Sequence, residues 1–174
     1  MTSTTRSPLR IGITELRRRP GTQREVEVSV SVPDLAITTA RVPEGAEVHV
    51  EAVVEAVEGG ITAVGRVEAP WEGECRRCLE LVTGSLDVEL HEVFEPNPTD
   101  GETYPIEGDE VDLEPVVRDA LLLHLPLAPL CREDCAGPAP ETFPTSVEGE
   151  GDDDEGERPP DPRWAALDEL KLEP

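Results

Sequence analysis

Two alternating apolar runs flank a glycine pair in the stretch VHVEAVVEAVEGGITAVGRV, residues 48–67. Apolar residues occupy every second position on both sides of the segment Glu58-Gly59-Gly60. Alternation with a period of two is typical of a half-buried strand, and a glycine pair between two such runs is typical of a hairpin turn. The stretch therefore predicts a β-hairpin, around which the rest of the domain can be arranged.

Further strands are predicted on both sides of this hairpin. Residues 26–32 and 81–94 alternate in the same way, and we expect another short strand within residues 34–42. About five strands without long helices between them predict an antiparallel sheet, because parallel strands need long crossover connections. Residues 96–110 are rich in proline, glycine and acidic residues, which favours a loop.

Two helices are predicted next to these strands. Residues 11–19 read as a short helix with Thr14 as its N-cap, ending at the segment Pro20-Gly21. A second helix begins at Asp112 as N-cap, has Pro115 in its first turn and ends before Pro126. Its aliphatic residues do not share one narrow stripe, so we expect this helix to be buried along most of its length.

The four cysteines of the chain form two closely spaced pairs, Cys75-Arg-Arg-Cys78 and Cys131-Arg-Glu-Asp-Cys135. Four thiolates make a complete tetrahedral set for Zn²⁺, leaving no position for water, so a zinc bound here would be structural. Two alternatives are a redox-active pair of dithiols and four ordinary reduced cysteines. In either case Arg76, Arg77 and Arg132 favour the thiolate form.

Charge and composition restrict the function. The formal net charge is -24, with a net of +5 over residues 1–24, -20 over 25–137 and -9 over 138–174. The acidic body repels nucleic acid and attracts basic proteins, although acidity alone could serve solubility. No apolar run approaches the roughly 20 residues of a membrane span, and the start has no apolar signal region, so we expect a cytoplasmic protein.

No catalytic constellation is visible. The three histidines are scattered, the acidic residues are too numerous for any pair to stand out, and no phosphate-binding glycine loop occurs, so we expect no enzymatic activity. Four arginines near the start could contact RNA phosphate, or could simply form a solvated helix end; they are Arg17, Arg18, Arg19 and Arg24.

Together these features predict an α+β fold, with an antiparallel, partly barrel-like β-sheet, short helices and a four-cysteine zinc knuckle. Residues 1–8 are a disordered leader and residues 9–137 the zinc-binding domain. Residues 138–160 are an acidic linker with too little apolar surface to fold. Residues 161–174 form a C-terminal helix, in which Trp164, Leu167 and Leu170 make one apolar face suited to a partner.

The chain resembles the YceD family over residues 9–137 and the last helix. The resemblance rests on four segments: CRRCLE at 75–80, DLEPVVRDALLL at 112–123, LPLAPLC at 125–131 running into Cys135, and DPRWAAL at 161–167. Many relatives carry a further Cys-x-x-Cys just after the position of Cys135, whereas residues 137–143 contain no cysteine here. The simplest interpretation is that the four cysteines present are the whole metal site.

The resemblance implies a role in accumulation or processing of large-subunit ribosomal RNA. We therefore expect a ribosome biogenesis factor that supports 50S assembly and 23S rRNA accumulation by binding a basic ribosomal protein, a pre-ribosomal particle, or both. Two other functions remain open at this point. One is a zinc or thiol redox switch, which the clustered cysteines favour, and the other is a direct rRNA-binding module, which the N-terminal arginines favour.

Overall fold

The structure is a computed structural model that describes residues 7–19 and 21–142. The chain divides into two units, Met1–Pro138 and Ala139–Pro174, and of the second only residues 139–142 are described. The predictions for residues 1–6, for the linker beyond residue 142 and for the terminal helix with Trp164, Leu167 and Leu170 therefore fall outside the described residues.

Eight strands and two helices lie in the described part of the first unit. In chain order they are β1 (Arg10–Gly12), α1 (Thr14–Arg18), β2 (Gln23–Val30), β3 (Ala40–Arg41), β4 (Val48–Val57), β5 (Gly60–Glu74), β6 (Leu81–Glu95), β7 (Tyr104–Glu107), β8 (Glu110–Asp112) and α2 (Glu114–His124).

The eight strands form one sheet in the order β1-β8-β7-β6-β5-β4-β2, with β3 paired to the far end of β5. The sheet curls into a half-barrel whose inner side holds the apolar core. α2 packs against β5 and β6. The predicted antiparallel pairing is confirmed for every neighbouring pair except β6 and β7, which run parallel where Phe94 meets Tyr104.

The predicted hairpin is confirmed as β4 and β5, which pair from His49 opposite Glu68 to Val57 opposite Gly60. The strand prediction for residues 81–94 is confirmed as β6, which pairs with β5 over fourteen residue pairs. Gly65 permits unusually close packing here, since a Cβ atom on it would lie 2.0 Å from the backbone oxygen of Glu51. A glycine at such a point allows the sharp curvature that a barrel-like sheet needs.

The sequence-based helix over residues 11–19 is too long at its start. Ile11 and Gly12 belong to β1, and Ile13 rather than Thr14 occupies the N-cap position of α1. The physical reason is that Leu9, Ile11 and Ile13 all point into the core at a spacing of two. Pairing of this segment with β8 therefore overrides its local helical pattern.

The predicted loop over residues 96–110 is also partly wrong. Residues 104–112 form a small hairpin of β7 and β8 that turns at Gly108, whose φ is +65°. Its strands have only four and three residues, so they offer too few positions for alternation to be visible in the sequence.

The observed helix α2 differs from the predicted one in its N-cap residue and in how much of its surface is buried. Leu113 occupies the N-cap position, while a side-chain oxygen of Asp112 accepts the N–H of Glu114 at 3.0 Å. Val116, Val117 and Leu121 are buried, but Leu123 is 83% exposed. The helix thus buries one face against the sheet instead of most of its surface, because the half-barrel covers it from one side only.

The core consists of aliphatic side chains around Phe94, and no polar or charged residue in the described ranges is buried. Within residues 7–19 and 21–142, no helix is long and apolar enough to cross a membrane.

Candidate metal centre

The first cysteine pair sits in the loop that joins the two longest strands. Cys75 follows β5 directly, and its N–H donates to the backbone oxygen of Glu80 at 2.8 Å. The N–H of Leu79 donates back to the oxygen of Cys75 at 2.9 Å, and Leu79 adopts a left-handed φ of +64°. The tight turn therefore directs Cys75 and Cys78 toward the same point beyond the sheet.

The second pair lies in the segment that follows α2. The N–H of Cys135 donates to the oxygen of Arg132 at 3.2 Å, which closes a turn between Cys131 and Cys135. The oxygen of Pro129 accepts the N–H of Arg76 at 2.9 Å and holds this segment against the first loop. Two segments with 52 residues of sequence between them thus meet at one end of the β5–β6 hairpin.

The sulfur atoms of Cys75, Cys78, Cys131 and Cys135 all lie within 4.8 Å of one another. The Cys75 and Cys135 sulfurs are 3.9 Å apart, and those of Cys78 and Cys131 are 3.7 Å apart. A tetrahedral site with Zn–S bonds of about 2.3 Å requires sulfur–sulfur separations of about 3.8 Å. The donor set and its spacing therefore fit a zinc ion, and the four residues that the sequence singled out do form one cluster.

The environment of the cluster is unequal on its two sides. Cys75 and Cys135 are buried, whereas Cys131 is exposed. Backbone N–H groups of Cys78 and Cys131 stabilise the Cys75 thiolate and lower its pKa to about 6. Hydrogen bonding to Cys135, together with burial, raises the pKa of Cys131 to about 12. Ionisation of one thiol thus disfavours ionisation of its neighbour, because two thiolates so close together repel each other.

Arg77 has a role that the sequence did not reveal. One guanidinium nitrogen donates to the backbone oxygens of Glu133 and Cys135, at 2.9 Å each. The side chain therefore ties the first cysteine loop to the second. The sequence suggested instead that Arg77 favours the thiolate form of the cysteines. The largest contributions to the low pKa of Cys75, however, come from the backbone N–H groups of Cys78 and Cys131. No local pattern could have shown this contact, since the two loops are brought together only by the complete fold.

The N-terminal arginines divide into two groups. Arg17 donates to the oxygen of Gly108 at 3.4 Å and pairs with Asp109 at 3.5 Å, and Arg24 donates to the oxygen of Gly12 at 3.2 Å. These two side chains therefore contact other segments of the domain. Arg18 and Arg19 are exposed and have no side-chain partner within the described ranges, so of the four arginines they are the freest to contact a phosphate.

Acidic side chains are concentrated on the outer side of the strands β2, β4, β5 and β6. In the strand register, Glu27 stands opposite Glu51, and Glu68 stands opposite Asp87. We call this surface the acidic face; its carboxylates are Glu25, Glu27, Glu51, Glu55, Glu68, Asp87 and Glu89. Arg66 is the only arginine on the outer side of these four strands. Part of the face forms an open trough of about 850 Å³.

The sequence contained a usable signal for this face. Alternation in the predicted strands already assigns every second residue to the solvent side, and most of the acids of these strands occupy those positions.

The histidines do not assemble a catalytic group. His49 bonds to Ser29 and Glu51, and His124 bonds to the backbone oxygen of Ala120. Glu27, His49 and Glu51 lie close enough to share an ion, but all three side chains are accessible to solvent.

Comparisons with known proteins agree with the motifs around the cysteines. The family model described as "Large ribosomal RNA subunit accumulation protein YceD" matches residues 63–171. An uncharacterized protein of Mycobacterium tuberculosis is 37% identical over 174 residues, which covers 94% of this chain and 82% of that protein. An uncharacterized protein of Mycobacterium leprae is 32% identical over 175 residues, with coverages of 94% and 78%. No solved structure matches.

Proposed function

This chain belongs to the YceD family, and we propose that it supports 50S assembly and 23S rRNA accumulation by holding a basic ribosomal protein on its acidic face. The family description implies a role in accumulation of large-subunit ribosomal RNA. The cysteine cluster would hold a structural Zn²⁺ that fixes the end of the β5–β6 hairpin. The protein would act in the cytoplasm, where ribosomal subunits are assembled.

The like-charge pair of Glu27 and Glu51 carries this proposal, since Arg66 already forms ion pairs with both Glu68 and Asp87. Glu27 faces Glu51 across β2 and β4, and no arginine or lysine pairs with Glu27 in the described part of the chain. Like charges directly opposite each other destabilise a sheet. A cationic partner would remove this repulsion on binding, so the arrangement favours a basic ligand over a purely structural role for these side chains.

The same charge makes bare RNA a poor first ligand. Residues 25–137 carry a net charge of -20, which repels phosphate at long range. Ribosomal proteins of the large subunit are basic and need shielding before they reach RNA. The acidic face would bind such a protein and release it where phosphate competes better, while Arg18 and Arg19 contact neighbouring rRNA.

The proposed role involves binding and no catalysis. A four-cysteine zinc site has no open coordination position for water or substrate. The acidic face holds carboxylates that are open to solvent, and the histidines of the described strands are separated from one another by register. Incubation of the full chain with precursor rRNA tests this directly. Cleavage that disappears on substitution of one acid or histidine would show that the protein is an enzyme.

The decisive experiment is a salt series. The full chain is titrated with purified basic large-subunit proteins and with rRNA fragments from low to high ionic strength. We expect binding of at least one basic protein, weakening steeply with salt because exposed charges are screened within about 8 Å at physiological ionic strength. The double variant Glu27→Gln/Glu51→Gln should bind more weakly, whereas Glu44→Gln, which is exposed in the turn before β4 and outside the acidic face, should not. Tight binding of RNA together with no binding of any ribosomal protein would overturn this mechanism.

A further inference from the structure

We propose that the groove between the outer edge of β6 and helix α2 binds an extended cationic peptide segment as an added β-strand. The cationic character of the partner rests on the proposed function, but the groove shares only Glu89 with the acidic face, and the strand mode of binding is independent of that function.

The first observation is the open edge of β6. One edge of this strand pairs with β5 from Leu81 to Phe94. The other edge pairs with β7 only at Phe94 and Glu95. From Leu81 to Val93, no strand within the described ranges pairs with it, and no backbone hydrogen bond from another segment reaches it. Unpaired N–H and C=O groups along an edge are a template for another strand.

The second observation is the groove beside this edge. It has a volume of about 810 Å³ and is bounded by β6, by the loop that precedes β7 and by α2. Val116, Ala120 and Leu123 contribute its apolar side, and Leu123 is 83% exposed. This volume suits a few side chains of an extended segment. An added strand would pair with β6 and place alternate side chains against α2.

The third observation is the charge of the groove. Five carboxylates line it, from Glu89, Glu92, Asp100, Glu102 and Asp119, and no lysine or arginine is among the lining residues. One oxygen of Asp119 already accepts the hydroxyl of Tyr104 at 2.9 Å. Charge complementarity therefore selects a segment in which lysine or arginine alternates with apolar residues.

These charges also explain why the edge need not pair with itself. Carboxylates along an exposed edge repel a second copy of the same acidic edge, which is a known protection against aggregation. They do not repel a cationic strand, so the same side chains admit one class of partner and exclude the other. If the carboxylates served only to prevent aggregation, the groove would bind a cationic strand no better than any other cationic ligand. This difference in affinity can be measured.

The probe is a capped eight-residue peptide of alternating lysine and valine, compared with the same peptide N-methylated on the amides of one edge. Binding to the full chain is followed by fluorescence anisotropy, and hydrogen exchange locates the amides that become protected. We expect N-methylation to weaken binding at least about tenfold, because it removes several backbone hydrogen bonds while keeping every charge. Protection should appear in β6.

Two exposed leucines provide a matched pair of variants. Leu123→Ala should weaken peptide binding about fivefold through lost apolar contact. Leu127→Ala should leave it unchanged, because Leu127 is 81% exposed but lies outside the groove. Both positions are on the surface, so both variants should fold normally.

The outcomes separate this inference from the proposed function. Equal binding of the methylated and unmethylated peptides, or protection in β2 instead of β6, would overturn the strand site even if ribosomal proteins bind to the acidic face. Methylation-sensitive binding at β6 without binding of any ribosomal protein would support the strand site and remove the proposed function. Failure of every cationic ligand to bind would overturn both.

Discussion

The guanidinium of Arg77 donates a hydrogen bond to the backbone oxygen of Cys135, 2.9 Å away and 58 residues further along the chain. The adjacent Arg76 is also exposed, but only its backbone N–H makes a contact, with the backbone oxygen of Pro129. Two neighbouring arginines between the same two cysteines therefore have different roles, one joining the loops and the other facing solvent.

Arg77→Ala should destabilise the domain by about 1 kcal/mol, since hydrogen bonds to carbonyl oxygens at an exposed site are lost. Arg76→Ala is the matched control and should change stability by less than about 0.5 kcal/mol, as for other surface substitutions. Urea unfolding of the two variants measures the difference. Equal effects would show that the contact between Arg77 and the second loop contributes nothing.

Protein purified without a histidine tag should contain about one zinc per chain, because four cysteines complete one tetrahedral site. Cys78→Ser should lose the metal and much of the stability. Structural zinc contributes about 10 to 16 kcal/mol in small zinc-finger peptides at pH 7, far more than a typical side chain. Elemental analysis and thermal unfolding check both statements, with Ser85→Ala on the neighbouring strand as control. A metal-free protein that is fully folded would contradict the zinc assignment.

Glu27→Gln should stabilise the free protein while it weakens binding of a basic partner. The substitution removes the repulsion between Glu27 and Glu51, which stand opposite each other. We expect the melting temperature to rise by about 1 to 3 °C. Glu102→Gln, in a loop without an opposing strand, should leave the melting temperature unchanged. A fall in melting temperature for Glu27→Gln would show that this carboxylate has a stabilising contact in the free protein.

The single tyrosine of the chain allows a clean titration. Burial raises the pKa of Tyr104, and its hydrogen bond to Asp119 raises it further. The native state therefore holds this proton more tightly than the unfolded chain, whose tyrosine pKa is about 10. The stability from this group is present below about pH 10 and is lost as the pH rises further. Asp119→Asn should lower the midpoint of the ultraviolet absorbance titration; an unchanged midpoint would exclude the role of Asp119.

The sequence predicted the strands that are long enough to show alternation. β2, β4, β5 and β6 have eight or more residues and one solvent-facing side each, so their period of two is visible. β1, β7 and β8 have only three or four residues, and their pairing is decided by partners distant in sequence. Local pattern could not locate these strands.

The same distinction holds for the site. The spacing within each cysteine pair predicted that each pair supplies two ligands to one ion, and the structure brings all four sulfur atoms together. The contacts of Arg77 depend on how the segment after α2 returns to the first loop, which no short motif encodes. The acidic face could be predicted only in part. Alternation identified its residues, but only the strand register showed which carboxylates stand opposite one another.

The separation of the two cysteine pairs has a consequence for synthesis of the protein. The β5–β6 hairpin contains only local pairings and can form as soon as residue 95 has left the ribosome. A metal ion bound by all four cysteines could be fully coordinated only after Cys135 has also emerged, about 2 to 8 seconds later at elongation rates of about 5 to 20 residues per second. During that interval the nascent chain exposes two thiols on a finished hairpin, so metal capture would mark the moment at which the domain becomes complete.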